Sequence, residues 1–229
     1  MSVYFNGHEI EALVLDFDNT FYDARDKELQ NLIWGEARKQ LVTCLLFQKG
    51  INNPSEEEIE VALEEYVALA GELGWGPAFE KLGGNRGAFQ QIVASVSKAE
   101  HLNYDLRLVQ IIELLSPQLP IYIFTGSSRQ TVLEALKVLL GDLWEYFSDK
   151  LLARDDLANF HKPELAAYQA MITTFNLNPE KTLFFDDQMV EINAAAQANL
   201  LTVLVNSNGS KGTVSIESIH QIFTVLEFA

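Results

Sequence analysis

Leu13-Val14-Leu15-Asp16-Phe17-Asp18-Asn19-Thr20 is the stretch on which the fold turns. The apolar run Ala12–Leu15 is too short for a helix. It is apolar on both faces, as a parallel strand buried between two layers must be. Two acids then follow at i and i+2. Strand alternation sends such residues to one side, and the chain must turn near the strand's end for both to meet one ligand. Crowded carboxylates are costly unless a cation neutralises them or one holds a proton. Magnesium, an oxygen-seeking cation that keeps some of its water, suits such a pair. Ligands of parallel sheets collect at the carboxyl ends of strands, where these acids lie. Taken alone, Asp18 and Asn19 read equally well as turn formers or helix caps.

Working outward, four more short apolar runs lie at Ile121–Phe124 and at residues 150–153, 182–185 and 202–205. Helical patterns fall between most of them. Residues 105–115 place Leu106, Val109, Ile112 and Leu115 on one face, and residues 128–140 end at Gly141, a suitable left-handed terminator. Pro163 suits a first helical position, with residues 164–175 continuing the helix. Residues 216–228 fit helix and strand equally. Alternating strands and helices predict an α/β fold, with a parallel sheet between two helical layers.

More than a hundred residues separate Leu15 from Ile121, far more than one crossover helix needs. Leu29, Ile33, Ala37, Leu41 and Leu45 keep i, i+4 spacing, and Ser55-Glu56-Glu57-Glu58 reads as a capping box. Ile59, Leu63, Tyr66, Ala70 and Leu73 carry that second helix. Six of the 13 glycines fall between Gly71 and Gly87, alongside Pro77, which predicts a loop. Phe89, Ile92, Val93 and Val96 suggest one more helix. The expected organisation is therefore a core of residues 1–22 and 98–229, with an inserted helical cap at 23–97.

Three other strand ends carry chemistry complementary to Asp16 and Asp18. Thr125-Gly126-Ser127-Ser128 offers a hydroxyl and backbone amides suited to an oxyanion. His161-Lys162-Pro163 sets a cation just before an expected helix start, where the dipole favours anions. Asp186-Asp187 ends the 182–185 run with a second acidic pair. Each alone has an ordinary explanation as a cap, a solvated charge or a turn. Together they supply a nucleophile, metal ligands and phosphate-binding groups.

The 229 residues carry 16 Lys and Arg against 32 Asp and Glu, a formal charge of −16. Such acidity argues against nucleic-acid backbones and anionic lipid surfaces as partners. With 48% apolar and 21% charged residues the chain is not predominantly disordered. No apolar run approaches the ~18 residues of a spanning helix. The lone Cys44 excludes an internal disulfide and a thiolate zinc cage. The opening Met-Ser-Val-Tyr-Phe-Asn-Gly-His-Glu lacks the basic flank and apolar stretch of a secretory signal, so the expectation is a soluble cytoplasmic protein.

This order of motifs resembles the haloacid dehalogenase-like superfamily across roughly residues 12–205. Asp16, Asp18 and Thr20 match its first motif Asp-x-Asp-x-Thr, Thr125 its second, Lys162 its third, and Asp186-Asp187 its acidic fourth. The long insertion is similar to the family's first type of helical cap. The resemblance implies a Rossmann-like core with the Asp16 strand between the Thr125 and Asp186 strands. It also implies Mg²⁺-dependent phosphoryl transfer through an aspartyl-phosphate. Asp16 is then the nucleophile and Asp18 the general acid and base. Mg²⁺ is held by Asp16, the Asp18 backbone carbonyl and the Asp186-Asp187 pair, with Asp187 the more dependable direct ligand. Thr125, the Gly126 amide and Lys162 bind the phosphate.

Some features depart from the family. Relatives often continue the fourth motif as Asp-Asp-Ser-x-x-Asn, whereas here Glu191 replaces the amide and could meet the metal through water. Asn199 replaces an expected Gly. Dehalogenation is disfavoured, because that branch has no acid at the position of Asp18, and neither Lys27 nor Lys39 stands out as a cap lysine for phosphonate cleavage. Asp18-Asn19-Thr20-Phe21-Tyr22 resembles pyrimidine 5′-nucleotidase-like members, making a nucleoside monophosphate one expected substrate. Trp34, Trp75 and Phe79 read as cap core in preference to a base-stacking surface, Arg86 as a surface charge, and His161 as structural. The expectation is a phosphatase for a small phosphorylated metabolite; a phosphomutase and a non-catalytic binding module of the same fold are the alternatives.

Overall fold

The computed structural model describes residues 2–22, 27–157, 160–205 and 213–229. Its strands are β1 (Val3–Phe5), β2 (His8–Ile10), β3 (Ala12–Leu15), β4 (Ile121–Phe124), β5 (Leu151–Leu152), β6 (Thr182–Asp186), β7 (Leu201–Val205), β8 (Ser215–Ile216) and β9 (Glu227–Phe228). Its α-helices are α1 (Lys27–Gln48), α2 (Glu56–Leu73), α3 (Trp75–Lys81), α4 (Arg86–Ala94), α5 (Leu106–Leu115), α6 (Arg129–Leu140), α7 (Leu165–Thr174) and α8 (Met189–Gln197).

Six strands form a parallel sheet in the order β5-β4-β3-β6-β7-β8. Leu13 pairs with Ile121 on one side and Leu183 on the other, so the first acidic motif leaves the middle of the sheet. Strand alternation divides the core into two layers. Leu13, Leu15, Ile123 and Phe185 pack with residues of α5 and α6, whereas Val14, Phe124, Phe184 and Leu204 pack with residues of α7 and α8. This is the three-layer Rossmann-like arrangement.

The helices between β3 and β4 have a core of their own, made by Leu41, Val42, Leu45, Tyr66, Ala70, Ala78 and Phe79. The α1 pattern buries Ile33, Ala37, Leu41 and Leu45 as expected, and Ser55 forms the capping box with Glu58 at the start of α2.

Several expectations need correction. The stretch from Gly71 to Gly87 is not a loop: α2 continues through Gly71, α3 occupies Trp75–Lys81, and Gly87 lies in the first turn of α4. Burial of Ala78 and Phe79 overrides glycine's weak helix preference. Asn85 caps α4, its side-chain oxygen accepting from the Gly87 and Ala88 amides at 2.9 and 3.2 Å. Pro163 lies outside its helix, since Glu164 keeps extended backbone (φ −62°, ψ 131°) and α7 starts at Leu165.

The ambiguous C-terminal region contains β8, a 3₁₀ segment and β9. β9 joins β1 and β2 in a small antiparallel sheet outside the expected elements. Residues 23–26, where the expected insertion begins, lie outside the described residues. Among the described residues no helix is long and apolar enough to cross a membrane.

Candidate active site

Asp16 follows β3 directly, and its amide continues the strand ladder by donating to the Phe185 carbonyl at 2.8 Å. Its carboxylate is almost wholly buried. Lys162, arriving from the segment before α7, donates to Asp16 Oδ1 and to Asp186 Oδ2, both at 2.7 Å. Its Nζ sits over the rings of Phe124 and Phe184, at 5.2 and 5.3 Å from their centres, so the ammonium is desolvated and held in place. Burial alone would lower the Lys162 pKa; Asp16, Asp186 and Glu191 overcome that penalty and keep it raised.

Carboxylate oxygens of Asp16, Asp186 and Asp187 lie within 4.8 Å of one another. Burial lifts the Asp16 carboxyl to about 7 and Asp186 to about 6, although Lys162 pulls both down. Burial, Asp186 and Asp16 raise Asp187 far above the usual carboxylate range. Asp187 Oδ2 accepts from the Asn19 side-chain amide at 3.1 Å, while its Oδ1 is buried without a partner. Asn19 reaches it from a left-handed conformation (φ 61°), which Asn tolerates well. Three converging carboxylates, one with an orphan oxygen, and a single nearby ammonium form a donor set suited to a hard divalent cation.

Asp18 is turned elsewhere. Its carboxylate accepts from Tyr22 Oη at 2.6 Å, from Ser127 Oγ, and from Lys98 Nζ at 2.7 Å. Its side chain is not among the three clustered carboxylates. Lys98 is fully buried, and desolvation lowers its pKa despite Asp18 beside it.

Thr125 ends β4, fully buried. Its Oγ1 accepts from the Ser127 amide at 3.1 Å, leaving the hydroxyl proton free to donate. Gly126 next to it is exposed, and a Cβ built there would meet nothing within 4 Å. Asp16, Asp18, Thr125, Gly126 and Lys162 line one cavity of about 150 Å³ between the sheet end and α1–α4. Asp186 and Asp187 join them through Lys162 and Asn19.

Other side chains depart from the sequence reading. Trp34 and Trp75 line the cavity, whereas Phe79 is wholly buried beneath it, so only Phe79 is purely core. Arg86 is paired, at 2.6 Å from Glu80 and 3.1 Å from Glu164 on the sheet side of the cleft. His161 lines the cavity too, its pKa lowered by burial and by Arg86. Glu191 is buried, lines the cavity and accepts from Tyr168 Oη, and its charge acts on Lys162 and Asp186. Lys98, Ser127 and Arg154 belong to the site and were not singled out in the sequence. Ser127 stood in plain view inside Thr125-Gly126-Ser127-Ser128, but Lys98 and Arg154 carry no local motif.

Comparison with known proteins identifies the family and the fold. The profile of haloacid dehalogenase-like hydrolases matches residues 10–199. Enolase-phosphatase E1 of Bradyrhizobium sp. (strain BTAi1 / ATCC BAA-1182) is 26% identical over 229 residues, covering 95% of this chain and 94% of the relative. A HAD phosphatase from Thermococcus onnurineus superposes with a TM-score of 0.59 at 16% identity, over 94% of this chain and 97% of that one. CbbY from Rhodobacter sphaeroides, solved in complex with phosphate, gives 0.55 at 15% identity, over 93% and 96%. At such identities the structures establish the shared fold alone. The sequence profile, however, runs through every strand end that contributes to the cavity, and the chain belongs to the haloacid dehalogenase-like hydrolases.

Proposed function

We propose that the chain is a Mg²⁺-dependent phosphatase that hydrolyses a small phosphorylated metabolite through a phosphoryl group carried on Asp16. The observation that carries this reading is the Asp16 carboxylate, held by Lys162 at 2.7 Å within the carboxylate cluster at the floor of the cleft. Asp16 would form a new O–P bond as the ester oxygen leaves, with Asp18 supplying that oxygen's proton. Asp18 would then take a proton from the water that cleaves the aspartyl-phosphate. Thr125, the Gly126 amide and Lys162 would bind the phosphoryl oxygens. Asp16, Asp186, Asp187 and the Asp18 carbonyl would hold Mg²⁺, which when bound offsets charge between nucleophile and phosphate.

The relative that is an enolase-phosphatase supports a phosphomonoester substrate. Tyr22 gives no support to a nucleoside monophosphate, because it is buried and donates to Asp18. Trp34 and Trp75 do offer a flat group a surface in the cavity.

The test is turnover of p-nitrophenyl phosphate with Mg²⁺, abolished by EDTA and by Asp16→Asn, with a phosphorylated Asp16 peptide recovered from acid-quenched wild type. Full activity in a folded Asp16→Asn protein would remove the nucleophile. Stoichiometric release of inorganic phosphate is expected; its return to a hexose phosphate would make the enzyme a phosphomutase.

A further inference from the structure

Arg154 stands just beyond β5, and its amide donates to the Ser127 carbonyl at 3.0 Å, fixing it beside the Thr125–Ser128 turn. Its side chain is only 9% exposed and lines the cleft. Arginine is almost never buried this far unless paired. Among the described residues its nearest acid, Asp155, is half exposed and 3.6 Å from Nη2, beyond hydrogen-bonding distance. Among the described residues Nη1 is buried without a hydrogen-bond partner.

Three other cations around the cavity are matched. Lys162 is paired with Asp16 and Asp186, Lys98 with Asp18, and Arg86 with Glu80 and Glu164. Arg38 of α1 lines the same cavity with its guanidinium over Trp75, 5.0 Å from the ring centre; among the described residues it has no ion pair. Cationic capacity therefore remains after the catalytic carboxylates are satisfied. A planar guanidinium with a free donor is organised for a carboxylate or phosphate, which takes two parallel hydrogen bonds.

Position decides which anion this is. β5 is the edge strand, separated from β3 by β4. A phosphoryl group on Asp16 would already be served by Lys162, Thr125 and Gly126, which line the same cavity. A group bound at Arg154 thus belongs to the body of the substrate.

We propose that Arg154 anchors a second acidic group, so that the preferred substrates are phosphomonoesters also bearing a carboxylate or a second phosphate. This rests on the phosphatase reading of Asp16 given above.

The test compares n-alkyl phosphates with ω-carboxyalkyl phosphates and α,ω-alkanediol bisphosphates of two to five carbons, with Mg²⁺ present. In wild type the best doubly acidic compound should exceed its alkyl counterpart at least about tenfold in kcat/KM, the worth of a charged hydrogen bond. The carboxylate and bisphosphate arms show which acid is meant. Arg154→Gln should collapse this ratio to within a small factor of one, and Arg154→Lys should keep part of it. No preference in wild type overturns the proposal. Equal losses on both classes in Arg154→Gln also overturn it, because they would place Arg154 at the transferred phosphoryl or in the scaffold. If nothing is hydrolysed, the phosphatase reading fails by itself, and calorimetry with ω-carboxyalkyl phosphonates against alkyl phosphonates decides the anchor independently. Tighter binding of the carboxylated phosphonates, lost in Arg154→Gln, supports it; equal binding overturns it.

Discussion

Lys98 Nζ lies 2.7 Å from the Asp18 carboxylate, across 80 residues of sequence. The lysine follows α4, where the chain returns from the helices to the core, and sits between the rings of Trp34 and Phe17 at 5.0 and 5.4 Å. With Ser127 and Tyr22 it gives Asp18 three donors, which fix where its oxygens point. Lys98→Met keeps most of the unbranched apolar stem and removes the ammonium. Asp18 is then misplaced, and kcat on p-nitrophenyl phosphate should fall about 100-fold, the usual consequence of a small displacement of a reacting group. Breaking a buried pair also costs about 3–5 kcal/mol, so kinetics must be measured below the lowered melting transition. Mg²⁺ affinity should hold, because the three-carboxylate cluster is separate. Wild-type kcat in folded Lys98→Met would show that Asp18 needs no such placement.

The strands and acidic motifs were legible because each depends on local order: an apolar run, then polar atoms at its end. β3, β4 and β6 therefore appear where the sequence places them, and Asp16, Asp18, Thr125 and Lys162 reach one cavity. Lys98 and Arg154 were not legible, since a single cation in a polar stretch gains its role only through the tertiary contacts that bury it. α3 was hidden by the glycines around it, whose low helix preference is outweighed by burial of Phe79. The β1–β2 hairpin had a usable signal in Asn6-Gly7, both at positive φ as a tight hairpin turn needs. Its three-residue strands are too short to show alternation.

Mg²⁺ should stabilise the protein through Asp187. Its buried Oδ1 lacks any partner, and a ligand present at 100 times its Kd contributes about 2.7 kcal/mol. For a chain of this size that is a rise of roughly 5–10 °C in Tm. Asp187→Asn should lose most of this rise. Without metal the same variant should melt no lower than wild type, since it removes a carboxylate from a crowded, desolvated cluster. Differential scanning calorimetry with Mg²⁺ and with EDTA tests both halves. An undiminished Mg²⁺ response in Asp187→Asn would place the cation elsewhere.

Asp105 gives a pH dependence remote from the active site. It caps α5, accepting from the Leu108 amide at 3.0 Å, and its other oxygen lies 2.8 Å from His220 Nε2. Burial opposes the charge, but His220 and the backbone donors prevail and hold the carboxyl below its usual value. A folded-state pKa below the unfolded value of about 3.9 contributes stability at higher pH, which disappears as pH falls through the folded value. Asn also caps helices well, so Asp105→Asn isolates the charge. The Tm difference between wild type and variant should be present above the usual carboxylate range and shrink as pH falls below it. A constant difference across that range would assign it to packing.

One substitution should act with opposite signs at two glycines. A Cβ at Gly84 would stand 2.2 Å from two ring atoms of Phe79, whose ring is enclosed by Tyr66 and Phe89 at 6.2 and 5.8 Å. Phe79 is fully buried and cannot swing into solvent, so Gly84→Ala should cost about 1–3 kcal/mol by overpacking. Gly71 lies inside α2, where a Cβ meets nothing within 4 Å. Gly71→Ala should therefore stabilise by about 0.5–1 kcal/mol, glycine's ordinary penalty within a helix. Because Trp75 and Phe89 line the cleft, the shift forced by Gly84→Ala should also raise KM, whereas Gly71→Ala should leave it alone. Urea unfolding and steady-state kinetics on both variants check the pair. Equal midpoints would mean that Phe79 has room to move, contrary to the packing that sets the cleft wall.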